Sequence, residues 1–281
     1  MPPVEVAVKA DRAGRRAVLM LLMGLATGCG PVASSAGGGI SVAGSTSVQP
    51  FAELLAEEYA RERPTAPVVN IQGGGSTAGI EAALTGAADV GMSSRELKDS
   101  ELAQGLVSQP IAYDAIVVVV HPDNPVAALT SEEVRRIFAG EVDNWSQLGG
   151  SDDAITLVVR EEGSGTRGAF DELMMGDTRV SARALRQDSN GAVRVIVNSD
   201  RNAIGYMSLG IVGDFVKPVP LDGVTPTVEA SMAGDYFLVR PFLFTWLGEL
   251  SAPAQRFVDY CLTAEAQAIL GLEGLIPVEG A

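Results

Sequence analysis

The sequence predicts an α/β fold with largely parallel strands, and three observations carry that prediction. From Ile40 onward, short apolar runs alternate with helical patterns of hydrophobicity, the order that builds strands covered by helices. The 281 residues are 47% hydrophobic and 20% charged, which supplies a sizeable core and excludes a globally disordered chain. That length suits one large α/β unit or two lobes of ordinary domain size. The third observation is the most informative: several strand-to-helix connections carry Gly with Ser or Thr in place of generic turn residues.

The chain opens on an address. Arg12, Arg15 and Arg16 precede an apolar stretch from Ala17 to Ala26, well short of the roughly 20 residues that span a bilayer as a helix. This is the pattern of a signal peptide, residues 1–28. Small residues at Ala26-Thr27-Gly28 lie directly before Cys29, which resembles a bacterial lipoprotein cleavage site and makes Cys29 the expected lipidated first residue. The usual aliphatic residue three places before the cysteine is Ala26 here, and the alternative is an ordinary secretory signal. Residues 29–39, with Ser34, Ser35 and three consecutive glycines, form a flexible linker, so folding is expected from Ile40.

The first strand is expected at Ile40-Ser41-Val42-Ala43. It is followed by Gly44-Ser45-Thr46-Ser47 and a helix with Pro50 in its first turn and an apolar face of Phe51, Leu54, Leu55 and Tyr59. The second is Val68-Val69-Asn70-Ile71, then Gly73-Gly74-Gly75-Ser76-Thr77-Ala78-Gly79 and a helix carrying Ile80, Ala83 and Leu84. The third is Thr156-Leu157-Val158-Val159, then Arg160-Glu161-Glu162-Gly163-Ser164-Gly165-Thr166 and a helix carrying Phe170, Leu173 and Met174. A fourth segment, Ala88 to Arg95, sets the hydroxyls of Ser93 and Ser94 and a guanidinium at the end of another short strand.

Such loops suit a tetrahedral oxyanion. Helix N-termini carry unpaired N–H groups and partial positive charge, glycine lets the backbone approach, and Ser and Thr hydroxyls rotate to meet an oxygen. Any one loop by itself favours a plain helix cap; three together reverse that and point to a ligand. An arginine adds a planar fork matched to phosphate-like oxygens.

Other chemistries are excluded or weak. With 20 Lys+Arg against 35 Asp+Glu, the net charge of -15 repels a polyanion, so nucleic acid is not an expected partner. Two Cys and one His cannot assemble a disulfide scaffold or a Cys/His zinc site. Cys261 lies in an apolar-periodic segment and reads as a buried packing residue. His121, ahead of Pro122-Asp123-Asn124-Pro125, reads as a turn residue and not a base. Gly73 to Ala78 satisfies a G-x-G-x-x-A dinucleotide pattern, but it is not the first strand-to-helix turn and no acidic residue closes a second strand for a ribose. The Gly-Lys-Ser/Thr of a Walker loop is absent, and Glu162 breaks a G-x-S-x-G elbow around Ser164.

Four motifs in order, Gly44-Ser-Thr-Ser-Val-Gln-Pro50, Gly73-Gly-Gly-Ser-Thr-Ala-Gly-Ile80, Asp89-Val-Gly-Met-Ser-Ser-Arg-Glu-Leu97 and Arg160-Glu-Glu-Gly-Ser-Gly-Thr-Arg167, closely resemble the substrate-binding lipoprotein of the high-affinity bacterial phosphate ABC transporter. The likeness continues through His121 to Pro125, Phe138-Ala-Gly140 with Asn144-Trp145, Ser189-Asn-Gly-Ala192 and Ala203-Ile-Gly-Tyr206, and reaches Ile276-Pro277-Val278. The resemblance implies a two-lobed periplasmic-binding-protein fold of type II, with mixed sheets flanked by helices and hinge crossover strands. It divides the chain into lobe 1 (40–113 and 236–281) and lobe 2 (114–235), with crossovers near Tyr113 to Ile116 and Tyr236 to Phe244.

It further implies a monomeric, lipid-anchored binding protein at the outer face of the cytoplasmic membrane. That protein would deliver inorganic phosphate to permease subunits, without cofactor, metal or catalysis. The phosphate contacts carried over are Thr46, Ser47, Ser76, Ser94, Arg95, Arg160, Ser164, Gly165 and Thr166, with Glu162 as the acidic partner that holds Arg160. Ser94 departs from the aspartate of better-known members, whose carboxylate accepts the proton of monohydrogen phosphate and repels sulfate. A carboxylate from elsewhere, such as Glu161, or neutral serine oxygens would then take that role. The alternatives are a binding protein for another tetrahedral oxyanion, sulfate or molybdate, and a secreted phosphatase-like enzyme. The enzyme lacks a metal cluster and a nucleophile with a nearby base.

Overall fold

The computed structural model describes residues 38–278. The signal peptide, Cys29 and the linker up to residue 37 lie outside the described residues.

The first half of the fold alternates strand and helix as the hydrophobic pattern requires. Strand β1 (Ile40–Gly44) buries Ile40 and Val42 and leads to α1 (Gln49–Glu62), whose buried face is Phe51, Ala52, Leu55, Ala56 and Tyr59. Strand β2 (Val69–Gly73) leads to α2 (Ser76–Thr85), which stops at Gly86 in the left-handed region. Then come β3 (Val90–Ser93), the single turn α3 (Asp99–Leu102) and the 15-residue strand β4 (Leu106–Val120). Helix α4 (Ser131–Ala139) is capped by the Thr130 hydroxyl, which accepts from the Glu133 N–H, and ends at left-handed Gly140.

The second half continues with β5 (Thr156–Arg160) and α5 (Gly165–Phe170), which runs on into a π-helical turn at Asp171–Met175. Strand β6 (Leu185–Gln187) precedes α6 (Asn190–Ser199), then β7 (Ala203–Ser208), the two-residue β8 (Lys217–Pro218) and α7 (Val228–Met232). Strand β9 (Val239–Leu247) and helices α8 (Ala252–Cys261) and α9 (Ala264–Leu272) complete the described chain.

The strands pair in the order β2-β1-β3-β9-β4-β7-β5-β6, with β8 beside β4. Both ends of that order are parallel, as strand-helix alternation demands, but β4 and β9 run antiparallel to each other and to their outer neighbours. Strand β4 changes partner midway, pairing with β9 up to Ala115 and with β7 from Ile116 to Val120. The run Ile116 to Val120 is fully buried, which is why it is apolar without alternation.

The result is a two-lobed mixed α/β fold with a core in each lobe. One gathers Val42, Phe51, Leu55, Tyr59, Phe242, Phe244 and Phe257; the other gathers Val118, Ile137, Phe138, Trp145, Phe170 and Tyr206. In the second core Phe170 stacks on Tyr206 at 3.9 Å between centroids and Phe138 meets both rings edge-on, contacts that each add about 0.5–1.5 kcal/mol to area burial. Cys261 is buried in the first core and burial pushes its thiol far above the ordinary value, so it stays protonated. Among the described residues no helix is long and apolar enough to cross a membrane.

Candidate anion-binding site

The hydroxyl loops meet where β4 and β9 pass between the lobes. The loop after β1 and the loop after β2 are tied by backbone, because the N–H groups of Gly74 and Gly75 both donate to the Gly44 carbonyl, at 2.8 and 2.9 Å. The β3 end joins them through side chains: Ser45 Oγ donates to Ser94 Oγ at 2.9 Å, the Ser94 N–H donates to Ser76 Oγ at 3.1 Å, and the Ser76 and Ser94 hydroxyls lie 3.3 Å apart. All three side chains are buried. Close approach of α2 to β1 requires Gly79, since a Cβ there would sit 2.5 Å from the Ala43 carbonyl oxygen.

The loop after β5 closes on this cluster from the other lobe. Ser47 Oγ and Thr166 Oγ1 are 2.8 Å apart, and the Thr77 N–H donates to the Gly163 carbonyl at 3.0 Å. Gly165 faces Ser76 and Ser94 so closely that a Cβ would lie 2.3 Å from Ser76 Oγ and 2.7 Å from Ser94 Oγ. Ser164 caps α5, accepting from the Arg167 N–H at 3.2 Å, so its hydroxyl is engaged in the helix start. Thr46 sits at the edge of the cluster, its Oγ1 3.4 Å from Asn190 Nδ2.

Arg160 enters from the last position of β5 and is 1% exposed. Its guanidinium donates to both oxygens of Glu161 (3.1 and 2.9 Å) and to the carbonyls of Gln187 (3.2 Å) and Asp188 (2.9 Å). The carboxylate that holds Arg160 is therefore that of Glu161, which corrects the sequence expectation of Glu162. Glu161 is the first residue past the strand, where the turn swings its side chain back over Arg160. Glu162 lies one step further round that turn, close enough to Asp171 that its charge helps raise the Asp171 carboxyl, an effect secondary to burial. Tyr206 supports the same strand end, its hydroxyl accepting from the Arg160 N–H at 3.3 Å.

Arg95 turns the other way. Its guanidinium makes a two-pronged pair with Glu101, at 2.9 and 2.8 Å, and donates to the Glu96 carbonyl at 2.7 Å. That geometry commits its donors to α3 and leaves the hydroxyl cluster to other cations.

A second buried cation occupies the position between the lobes. Arg240 of β9 donates to Asp114 of β4 through Nε (3.1 Å) and Nη2 (2.9 Å), to the Ser94 carbonyl (3.3 Å) and to Ser47 Oγ (3.2 Å). Ser208 Oγ donates to the other Asp114 oxygen at 2.7 Å. Burial pushes the Asp114 carboxyl up and the Arg240 guanidinium down from their ordinary values, and their mutual attraction opposes both displacements. Arg160 also lowers Arg240, so the two cations share one field. The last member is Asn190 at the start of α6, 1% exposed, whose Nδ2 donates to Ser47 Oγ at 2.8 Å.

Sequence reasoning missed Ser45, Asp114, Asn190 and Arg240. A signal for two of them was present: Asp114 and Arg240 are opposite charges, each set alone in a long apolar run assigned to a crossover, and a charge so placed needs a partner. Asn190 lay inside a motif shared with the family, without a reason to single it out.

Buried hydroxyls from both lobes, two buried guanidiniums and backbone turns at glycine are gathered here, and groups of these types suit a small tetrahedral anion. Among the described residues no group of three or more His, Cys, Asp or Glu is gathered.

A PBP superfamily domain matches residues 31–265. The phosphate-binding protein PstS of Bacillus subtilis is 32% identical over 282 residues, covering 93% of this chain and 93% of its own. The chain belongs to this family. Members of known structure agree with the fold. A protein from Clostridium perfringens, described as a phosphate ABC transporter substrate-binding protein with bound phosphate, is 38% identical and superposes with a TM-score of 0.83, covering 86% of this chain and all of its own. An ABC-type phosphate transport receptor from Vibrio cholerae is 35% identical with a TM-score of 0.70, over 85% of this chain and all of its own.

Proposed function

We propose that this chain captures inorganic phosphate outside the cytoplasmic membrane and delivers it to the permease of an ABC transporter, as a binding protein and not an enzyme. The observation that carries this reading is the meeting of Ser47, Ser76 and Ser94 of one lobe with Gly165 and Thr166 of the other beside buried Arg160 and Arg240. The family supports it, since its relatives are phosphate-binding proteins of such transporters.

In this reading residues 40–113 with 236–281 form lobe 1 and 114–235 form lobe 2, and β4 and β9 are the crossovers about which the lobes close. Thr46, Ser47, Ser76, Ser94 and Thr166 offer hydroxyls, the N–H groups of Gly165 and Thr166 at the start of α5 add backbone donors, and Arg160 supplies the fixed charge, held rigid by Glu161 and two carbonyls. The acidic surface does not oppose capture, because charges beyond about 8 Å are largely screened at physiological salt and local donors decide affinity. Lipid on Cys29 would tether the monomer to the membrane beside its permease.

Calorimetric titration of purified protein with phosphate, sulfate and molybdate tests the assignment. Phosphate is expected to bind tightest. Arg160→Ala should weaken phosphate binding well over tenfold, since a charge-assisted hydrogen bond contributes about 1.5–3 kcal/mol. Unchanged affinity in that variant moves the anion elsewhere, and a preference for sulfate or molybdate replaces phosphate as the cargo.

A further inference from the structure

We propose that Asn190 is the residue by which this site tells a protonated oxyanion from an unprotonated one: its Oδ1 accepts the P–OH hydrogen of phosphate, and sulfate, which has none to offer, is disfavoured. The inference rests on the phosphate reading above and adds to it the side chain that sets selectivity.

Asn190 is fixed in place. It is the first residue of α6, after the Ser189 cap that accepts from the Ala192 N–H at 3.1 Å, and it is 1% exposed. Its Nδ2 is spent on Ser47 Oγ at 2.8 Å, with Thr46 Oγ1 at 3.4 Å. Both of those hydroxyls belong to the site. Its Oδ1, on the same amide carbon, is buried without any hydrogen-bond partner. Among the described residues the only other such atom is Asp171 Oδ1, whose sister oxygen is held by Arg167. A buried acceptor left unpaired is costly, so its survival at a binding site points to a donor brought by the ligand.

The neighbouring groups sharpen the point, because they already have partners. Ser47 Oγ accepts from Asn190 Nδ2 and from Arg240 Nη2. Both its lone pairs are then used, and its own hydrogen goes to Thr166 Oγ1 at 2.8 Å. Ser94 Oγ accepts from Ser45 and has Ser76 Oγ beside it at 3.3 Å. Arginine has no acceptor at all. The Glu161 carboxylate already accepts from Arg160 at both oxygens. Against this set, Asn190 Oδ1 is the buried side-chain acceptor that has no hydrogen at all. Either ionisation state of phosphate near neutral pH carries at least one P–OH, whereas sulfate would place a bare oxygen against the amide oxygen, a repulsive contact that selects against it.

The test is titration of the full chain with inorganic phosphate and with sodium sulfate at pH 8, in wild type, Asn190→Ala and Asn190→Asp, with melting temperatures taken for each. Wild type should prefer phosphate by at least 100-fold. Asn190→Ala should lose at least tenfold in phosphate affinity while sulfate stays within threefold or tightens. Asn190→Asp, which restores an acceptor oxygen, should recover the phosphate-to-sulfate ratio. If both anions weaken by the same factor in Asn190→Ala, the side chain donates or merely packs and the proposal is overturned. A ratio that Asn190→Asp fails to recover overturns it too. Wild type that binds no phosphate removes the functional reading as a whole, whereas phosphate binding with a ratio untouched by Asn190→Ala removes this inference alone.

Discussion

The two sides of the anion cluster are built from different chemistry. The loops after β1, β2 and β3 bring Ser45, Ser47, Ser76 and Ser94, all neutral, and their one arginine, Arg95, is drawn away by Glu101. The segments after β5 and β6 bring Arg160 and Asn190, a fixed charge and an amide, with Thr166 as the hydroxyl that meets the opposite side. Between them Asp114 and Arg240 sit on the two strands that run through both halves of the sheet. The contrast teaches a division of labour. Charge is placed where carbonyls and a carboxylate already hold it rigid, and rotatable hydroxyls are placed opposite, where in the proposed reading they adapt to the anion.

The largest effect should come from the element common to both sides. Asp114→Ala leaves Arg240 buried without its counter-charge, which costs about 3–5 kcal/mol of stability. Urea unfolding of the two proteins measures it. Replacing both partners by apolar residues should recover most of that loss, because the penalty lies in the stranded charge and not in a missing attraction. A loss below about 1 kcal/mol in Asp114→Ala would mean that the pair is not the structural joint between the sides.

A smaller effect depends on whether the sides meet as closely with anion bound. Gly165→Ala puts a Cβ at 2.3 Å from Ser76 Oγ and 2.7 Å from Ser94 Oγ, so the loops must part. Overpacking of this kind costs about 1–3 kcal/mol, which at the closed site appears as a roughly five- to hundredfold loss of phosphate affinity. Stability of the anion-free protein should change less, since opening relieves the contact. Wild-type affinity in this variant would show that the two sides stay apart around the ligand.

How much of this could be read from sequence differs along the same division. Strands β1 and β5 begin at the expected residues, and three of the four residues expected on the apolar face of α1, Phe51, Leu55 and Tyr59, are buried while Leu54 is half-buried at its edge, because both signals are local. The reach of β4, its change of partner at Ala115 and the pairing of Asp114 with Arg240, 126 residues away, depend on which strands become neighbours, and no local pattern states that. Directions of side chains at loop entries were legible only to within one residue, so Glu161 and not Glu162 holds Arg160. Leu173 was expected on the buried face with Phe170 and Met174. The π-helical turn fits an extra residue into the turn and so shifts the buried face, covering Met174 and Met175 and leaving Leu173 at 37% exposure.

The smallest effects should fall on Arg95, and they sharpen the contrast between an arginine that stabilises its own lobe and one that holds the anion. Glu101 is subject to a burial effect that raises its carboxyl. The Arg95 hydrogen bonds, the Lys98 N–H and the charges of both residues outweigh it, so the net value lies below the ordinary 4.5. A carboxyl lowered by folding adds stability that is complete above the unfolded value and is lost as pH falls through the folded one. Glu101→Gln should therefore cost about 1 kcal/mol at pH 7. The gap from wild type should close as the pH is taken below 4.5, as followed by urea midpoints across that range. Arg95→Ala should show the same stability loss while phosphate affinity at pH 7 stays within about threefold, less than one charge-assisted hydrogen bond is worth. A tenfold weakening would instead swing the Arg95 guanidinium onto the anion in the bound state, and the neutral character of the first side would be lost with it.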